Sequence, residues 1–350
     1  MRDSGLDEGF GIRMIGLHRF AVFVAACTVV LIAAGGMVTS TDSGLAVPDW
    51  PNTYGHFMFS FPYEKWVGGI LYEHGHRLIA STVGFLTIVL AVWTWKVEPR
   101  RWVRRLAFAA LGAVILQGLL GGLTVIFLLP APISIGHAAL AQLFFCSTVS
   151  LALFTSRGWR QAGPAVDDAP LRRLTLLTTA LVSVQILLGA TMRHTEAGMA
   201  IPDFPLAFGQ LVPPVWSAGI AIHYAHRLGA LIVVTAIYVT AIRVWRHHVT
   251  RMELVVPSLL LVLLVGSQAT LGAYVVLSGL HPIINTAHVV NGALVLAASL
   301  VLTLRTHRAA FGAAGSEDAA LRRRQEPSAG AVRRAASLDP AETARTGVRL

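Results

Sequence analysis

The sequence predicts an all-α polytopic membrane protein, with eight transmembrane helices arranged as two parallel-repeat four-helix bundles. Three observations predict it. Of 350 residues, 55% are hydrophobic and 13% charged, about half the charged share of a soluble domain, and the mean hydropathy is +0.64. The apolar residues fall in runs of roughly 20 or more, the length that crosses about 30 Å of hydrocarbon. A set of landmarks also recurs in the second half of the chain in the same order. Together these exclude a soluble enzyme, a disulfide-stapled secreted domain and a coiled coil.

The spans are drawn at 15–39, 74–96, 103–128, 133–156, 171–192, 219–244, 253–279 and 284–305. The first, from Ile15 to Val38, is long enough to cross and has no clean small-x-small cleavage site after it, so it reads as a helix rather than a cleaved signal. Lys96, Arg100, Arg101, Arg104 and Arg105 separate spans two and three. Arg157, Arg160, Arg172 and Arg173 separate spans four and five, and Arg243, Arg246 and Arg251 separate six and seven. The opposite loops carry Asp42, Asp49, Glu64, Glu196 and Asp203, with Lys65 and Arg193 as their few basic residues. Basic residues accumulate on the cytoplasmic side, so both termini are expected in the cytoplasm and the protein in the plasma membrane. The net charge of +10 has this origin and does not indicate nucleic acid. Cys27 and Cys146 lie inside apolar runs and form no disulfide framework.

Gly44-Leu-Ala-Val-Pro-Asp-Trp-Pro51 recurs as Gly198-Met-Ala-Ile-Pro-Asp-Phe-Pro205 at an offset of 154. His76-Arg77 recurs as His226-Arg227 at 150, and Gln117 and His137 recur as Gln268 and His288 at 151. Each half therefore holds four helices, and an even number makes the repeats parallel, related by an axis along the membrane normal. The expected units are an N-terminal arm (1–13), an N-terminal bundle (14–160), a C-terminal bundle (161–308) and a basic tail (309–350). The tail is too poor in large apolar residues to pack and is expected to be disordered, touching anionic headgroups or simply solvated.

Ionisable residues within spans are costly and mark sites. His76, His137, His226 and His288 each lie a few residues inside the outer start of an even-numbered span, at similar depth. Two imidazoles facing one another from neighbouring helices are what a haem iron takes on its two faces. The pairs would be His76 with His137 and His226 with His288. Zinc is disfavoured, since no Cys or carboxylate completes a tetrahedral set in both halves. Arg77 and Arg227 follow two of these histidines and could pair with haem propionates or snorkel to headgroups. His18, His56, His74, His194 and His281 are not duplicated and read as loop or interfacial residues. Gln117 and Gln268, beside glycines, read as helix-packing hydrogen bonders. Trp50 and Phe204 read either as interfacial anchors or as lids over a haem edge. The repeat breaks at Glu73, one turn before His76, whose counterpart is His223. A carboxylate beside one haem only gives the halves different jobs, with chemistry in the first.

With Glu73-His-Gly-His76-Arg77, Gln117-Gly-Leu-Leu-Gly-Gly and the duplicated loops and histidines assembled, residues 14–306 resemble the haem A synthase family. The resemblance implies an oxidoreductase that converts the C8 methyl group of haem O to a formyl group by successive hydroxylations. It implies a resident haem b, its iron held by His226 and His288, and haem O as substrate between His76 and His137, with Glu73 needed for activity. It further implies haem O and an unidentified electron acceptor or donor as partners, with the haem O-producing enzyme and a homo-oligomer left open; the lipid bilayer is expected from the spans, and nucleic acid is not. Some family members carry a cysteine pair in the first outer loop; none lies between Gly44 and Glu73 here. A non-catalytic diheme b-type electron-transfer protein would account for the histidines but not for Glu73. A parallel-repeat transporter would place its charges at mid-membrane rather than near the outer face.

Overall fold

Helices follow wherever the apolar runs leave the backbone no water to bond to, because only intra-segment bonds satisfy it there. The computed structural model describes residues 3–161 and 165–311, residues 3–10 by backbone alone. It contains α1 (Asp3–Ser40), α2 (Gly69–Val97), α3 (Arg101–Ile126), α4 (Ala131–Thr155), a single turn α5 (Arg157–Arg160), α6 (Ala169–His194), α7 (Ala218–His247), α8 (Met252–Leu277) and α9 (Pro282–Thr306). All except α5 are long and apolar enough to cross a membrane, and the apolar part of α1 (Gly11–Ser40) and the other seven each match an expected span to within a few residues. The protein is a multi-pass membrane protein. The basic tail lies, from residue 312 on, outside the described residues. The first helix runs from Asp3 to Ser40, its apolar part from Gly11 on.

Side chains such as Phe85, Leu143 and Leu231 point outward with about two thirds of their surface exposed, as lipid-facing residues do. Within the first half α1 packs on α2 and α4, and α3 on α2 and α4; within the second, α6 packs on α7 and α9, and α8 on α7 and α9. Between the halves, α1 meets α9, α6 meets α4, and α4 meets α9. This reciprocity is the pattern a two-fold relation generates. Accordingly α4 and α9 are the most enclosed spans, 44% and 50% buried over their apolar windows against 17–28% elsewhere. Those two helices carry His137 and His288.

Local chemistry sets the ends and the joints. Asp168 and Ser217 cap α6 and α7 by accepting the Leu171 and Ile220 N–H groups. The α3–α4 and α8–α9 turns are the same device. Leu129 N–H reaches Thr124 O and Leu128 N–H reaches Val125 O, matched by Leu280 to Val275 and Gly279 to Val276, with both central residues left-handed. Pro257 within α8 has no N–H to give the carbonyl four residues back. Arg305 of α9 donates to that Glu253 carbonyl instead, at 2.9 Å. Hydroxyl pairs join the second-half helices, Thr178 with Thr240 and Thr179 with Thr303, the small-polar contact that suits helix association in lipid. Cys27 and Cys146 are free thiols.

Candidate functional site

The duplicated Pro-Asp-aromatic-Pro loops prove to be one structure built twice. Asp49 accepts the N–H groups of Tyr54 and Gly55 at 2.7 and 2.8 Å; Asp203 accepts those of Phe208 and Gly209 at the same distances. Burial pulls the Asp49 carboxyl upward, but those N–H groups and the Arg77 charge win and hold it below the ordinary carboxylate range. At Asp203 the Gly209 and Phe208 N–H groups have the same effect. Each loop is then fastened to the following span by an arginine. Arg77 donates to the carbonyls of Val47, Asp49 and Asn52. Arg227 donates to those of Ile201, Asp203 and Leu206, the same three positions at the loop offset of 154. The propionate candidates thus spend their terminal nitrogens on loop backbone and, for Arg77, also on the Glu73 carboxylate. The Arg227 Nε remains buried and without a partner.

The four histidines lie six to eight residues past the starts of α2, α4, α7 and α9, about 9–12 Å down each helix at ~1.5 Å per residue. Each imidazole lies against a glycine of the preceding span. A Cβ on Gly35 would fall 3.0 Å from His76 Cε1, on Gly121 3.1 Å from His137, on Gly189 2.8 Å from His226 and on Gly272 3.0 Å from His288. Only a residue without a side chain leaves room for the ring at that spacing. His137 is within electrostatic reach of His76, and His226 of His288. Among the described residues no three His, Cys, Asp or Glu side chains converge on a metal-sized site. His76, His137 and His288 each keep a buried Nδ1 with no hydrogen-bond partner. Buried ring nitrogens rarely go unsatisfied, so this glycine-backed, under-bonded donor set fits a haem, whose iron would draw imidazole nitrogens as ligands.

Glutamines brace this set from behind. Gln117 Nε2 donates to the His137 carbonyl at 3.0 Å and Gln268 Nε2 to that of His288 at 3.1 Å, and each lies 3.3 Å from the imidazole of the same histidine. Gln185 donates to the His226 carbonyl at 2.8 Å and lies 3.0 Å from its ring. The glutamines therefore orient the histidines, a narrower task than helix packing. Gln185 escapes a search for repeats because Leu31 occupies its place in the first half. The cradle glycines carry a signal, Gly35 with Gly189 at 154 and Gly121 with Gly272 at 151. That signal is drowned by the glycines usual at membrane helix contacts.

Glu73 is buried, accepting the Arg77 guanidinium at 2.6 Å on one oxygen and the Val47 N–H at 2.7 Å on the other. In the second half Ile201 N–H reaches His223 Nδ1 at 3.3 Å. The two residues thus share one scaffold task, receiving a loop N–H, and differ in charge. Trp50 lies flat on Gly122, whose Cβ would meet the indole at 2.5 Å, next to the glycine that backs His137. Phe204 sits under the Arg227 guanidinium at 5.6 Å. Of the unduplicated histidines, His74 is fully buried and bonded to Thr53, His18 bonds the Ala152 carbonyl, and His194 lies within electrostatic reach of His137.

The chain matches the model of a family described as COX15-CtaA, cytochrome oxidase assembly protein, over residues 18–256 and 220–338. Among similar proteins, the heme A synthase of Shouchella clausii is 32% identical over 268 residues, 75% of this chain and 87% of the relative. That of Halalkalibacterium halodurans is 29% identical over 276 residues, 75% and 89% of the two chains. That of Geobacillus kaustophilus is 27% identical over 312 residues, 85% and 95%. The match extends over both halves and contains every histidine and glycine of the two cradles, and the chain belongs to the COX15-CtaA family of cytochrome oxidase assembly proteins.

Proposed function

We propose that this protein is a haem A synthase, an oxidoreductase that converts the C8 methyl group of haem O to the formyl group of haem A in the plasma membrane, with both termini cytoplasmic. The observation that carries the reading is the duplicated cradle, two imidazoles on facing helices, each against a glycine, in a chain of this family. In this reading the first four spans and the last four are two bundles. His76 and His137 hold the substrate haem O, and His226 and His288 hold a resident haem b. A bound haem supplies a redox-active iron, and the remaining work falls to the chain. The glutamines fix the imidazole planes. The arginine-fastened loops cover the outer ends and keep water off the reacting edge, Trp50 closing over the first site. An electron partner and the haem O-producing enzyme complete the reaction's surroundings.

Glu73 is the acidic group of the first site and faces the loop that covers it. Placed there, it can hold that loop shut over substrate and take up a proton released as the methyl group is oxidised, a contribution worth roughly 10²–10⁴ in rate. Arg77 keeps its charge balanced. Glu73→Gln preserves an acceptor for Val47 N–H while removing the charge. Co-expressed with a haem O source, wild-type protein gives formyl haem in an acid–acetone extract. The variant is expected to retain b haem and yield little or no haem A. Wild-type haem A from Glu73→Gln would reduce the residue to a loop anchor.

A further inference from the structure

Arg193, in the last turn of α6, stands at the seam between the halves. It donates from Nη2 to the Gly36 carbonyl at 3.0 Å and to Ser40 Oγ at 2.7 Å, both on α1. Ser40 Oγ in turn bonds Thr286 Oγ1 at 3.2 Å, and Thr286 lies two residues before His288 on α9. The Gly36 backbone sits against the same threonine, a Cβ there falling 3.0 Å from its methyl group. Arg193 is within electrostatic reach of His288 and of Asp42. Yet no ion pair among the described residues includes it. A part-buried guanidinium answered by one carbonyl and one hydroxyl has donors and charge to spare, and charge-assisted, two-pronged bonding to a carboxylate is what that geometry serves best. The first-half position is Thr39, whose hydroxyl bonds its own helix at Gly35 O. The cation therefore belongs to one site only.

We infer that Arg193, contributed from across the seam and oriented by Ser40 and Gly36, holds a carboxylate of the haem bound between His226 and His288. The inference rests on the reading of those histidines as the resident-haem ligands. It also separates the two sites by task. A resident cofactor gains a charged anchor, whereas a substrate that must arrive and leave is held without one. A positive charge beside the macrocycle favours the reduced iron, so removing it lowers the midpoint potential.

The test uses the full-length protein purified in detergent, comparing wild type, His226→Ala, Arg193→Met and Arg193→Lys. Haem content, redox titration and the resonance Raman bending mode of the haem propionates are the readouts. Expected is a low-spin b haem in Arg193→Met with a lower midpoint potential and a shifted propionate mode, and partial return of both in Arg193→Lys. If Arg193→Met loses the haem outright, recovery of haem in Arg193→Lys supports the inference, and no recovery overturns it. An unchanged potential and propionate mode in Arg193→Met overturns the inference alone. So does loss of a co-purifying anionic lipid with both haem readouts unchanged, which would make the anion a headgroup phosphate. Full b-haem content in His226→Ala overturns instead the ligand reading beneath it.

Discussion

Placing a single methyl group on Gly189 tests the cradle directly. Its Cβ would lie 2.8 Å from His226 Cε1, 0.6 Å short of an ordinary 3.4 Å contact. The imidazole cannot yield freely, because Gln185 ties both its ring and the carbonyl of its residue. Overpacking of this size costs about 1–3 kcal/mol, offset by the roughly 0.5–1 kcal/mol that Ala gains over Gly inside a helix. The net of about 0–2.5 kcal/mol, centred a little above 1, corresponds to a roughly 5- to 10-fold weaker hold on the ring's productive position. Gly266→Ala serves as the control, since a Cβ there meets nothing within 4 Å and the helix-propensity gain stands alone. Pyridine haemochrome per mole of purified protein, with the reduced-minus-oxidised spectrum, reads the result. Gly189→Ala should lose b haem or shift its band, and Gly266→Ala should match wild type. Identical content and spectra in both variants would refute the claim that the ring is seated on that glycine.

Four further outcomes are expected. Gly121→Ala, 3.1 Å from His137, should keep b haem but depress haem A yield, because it crowds the substrate side alone. Leu128 and Gly279 occupy equivalent left-handed positions with φ of 59° and 62°, so Leu128→Gly should stabilise the protein and Gly279→Ala destabilise it, each by about 1 kcal/mol, read as the midpoint of thermal haem loss. Burial raises the Asp168 carboxyl, but hydrogen bonds from Arg243, His248 and the Leu171 N–H hold it far below the carboxylate range. A depressed folded-state pKa adds stability that is complete above the unfolded value, near 4, and drains as pH falls toward the folded one. Unfolding midpoints should be flat across neutral pH and drop below about pH 4, with that acid limb reduced in Asp168→Asn. Finally, residues 1–161 and 165–350 expressed as separate chains should co-purify, since α1–α9, α4–α6 and α4–α9 contacts join them; two halves that never associate would contradict the seam.

The eight spans were legible because lipid leaves hydropathy little to compete with, and the four glycine-backed histidines because duplication repeated them. Duplication as a search tool sees only what both halves share. Gln185 faces Leu31, Asn291 faces Leu140 and Arg193 faces Thr39 across the repeat; all three carry polar roles that sequence comparison of the halves passes over. Asn291 donates to Gln268 Oε1 at 2.7 Å, and Gln117 Oε1 has no such partner. Conversely, Glu73 and His223 read as a plain contrast in sequence, and only the folded loops show both receiving the N–H of equivalent loop residues. The arginine clamps were invisible for a different reason. Their partners are carbonyls, which every residue has.

That property of the clamps bears on how such a protein diverges after duplication. Because Arg77 and Arg227 grip main-chain oxygens, the loop side chains above each site are released from the duty of holding the loop down. Asn52 and Leu206 answer the same guanidinium position with unrelated side chains, and Trp50 and Phe204 differ over otherwise matching frames. One fastening can therefore carry two differently tuned covers. A copied half could drift toward a new occupant, residue by residue, without its outer face ever coming unlatched.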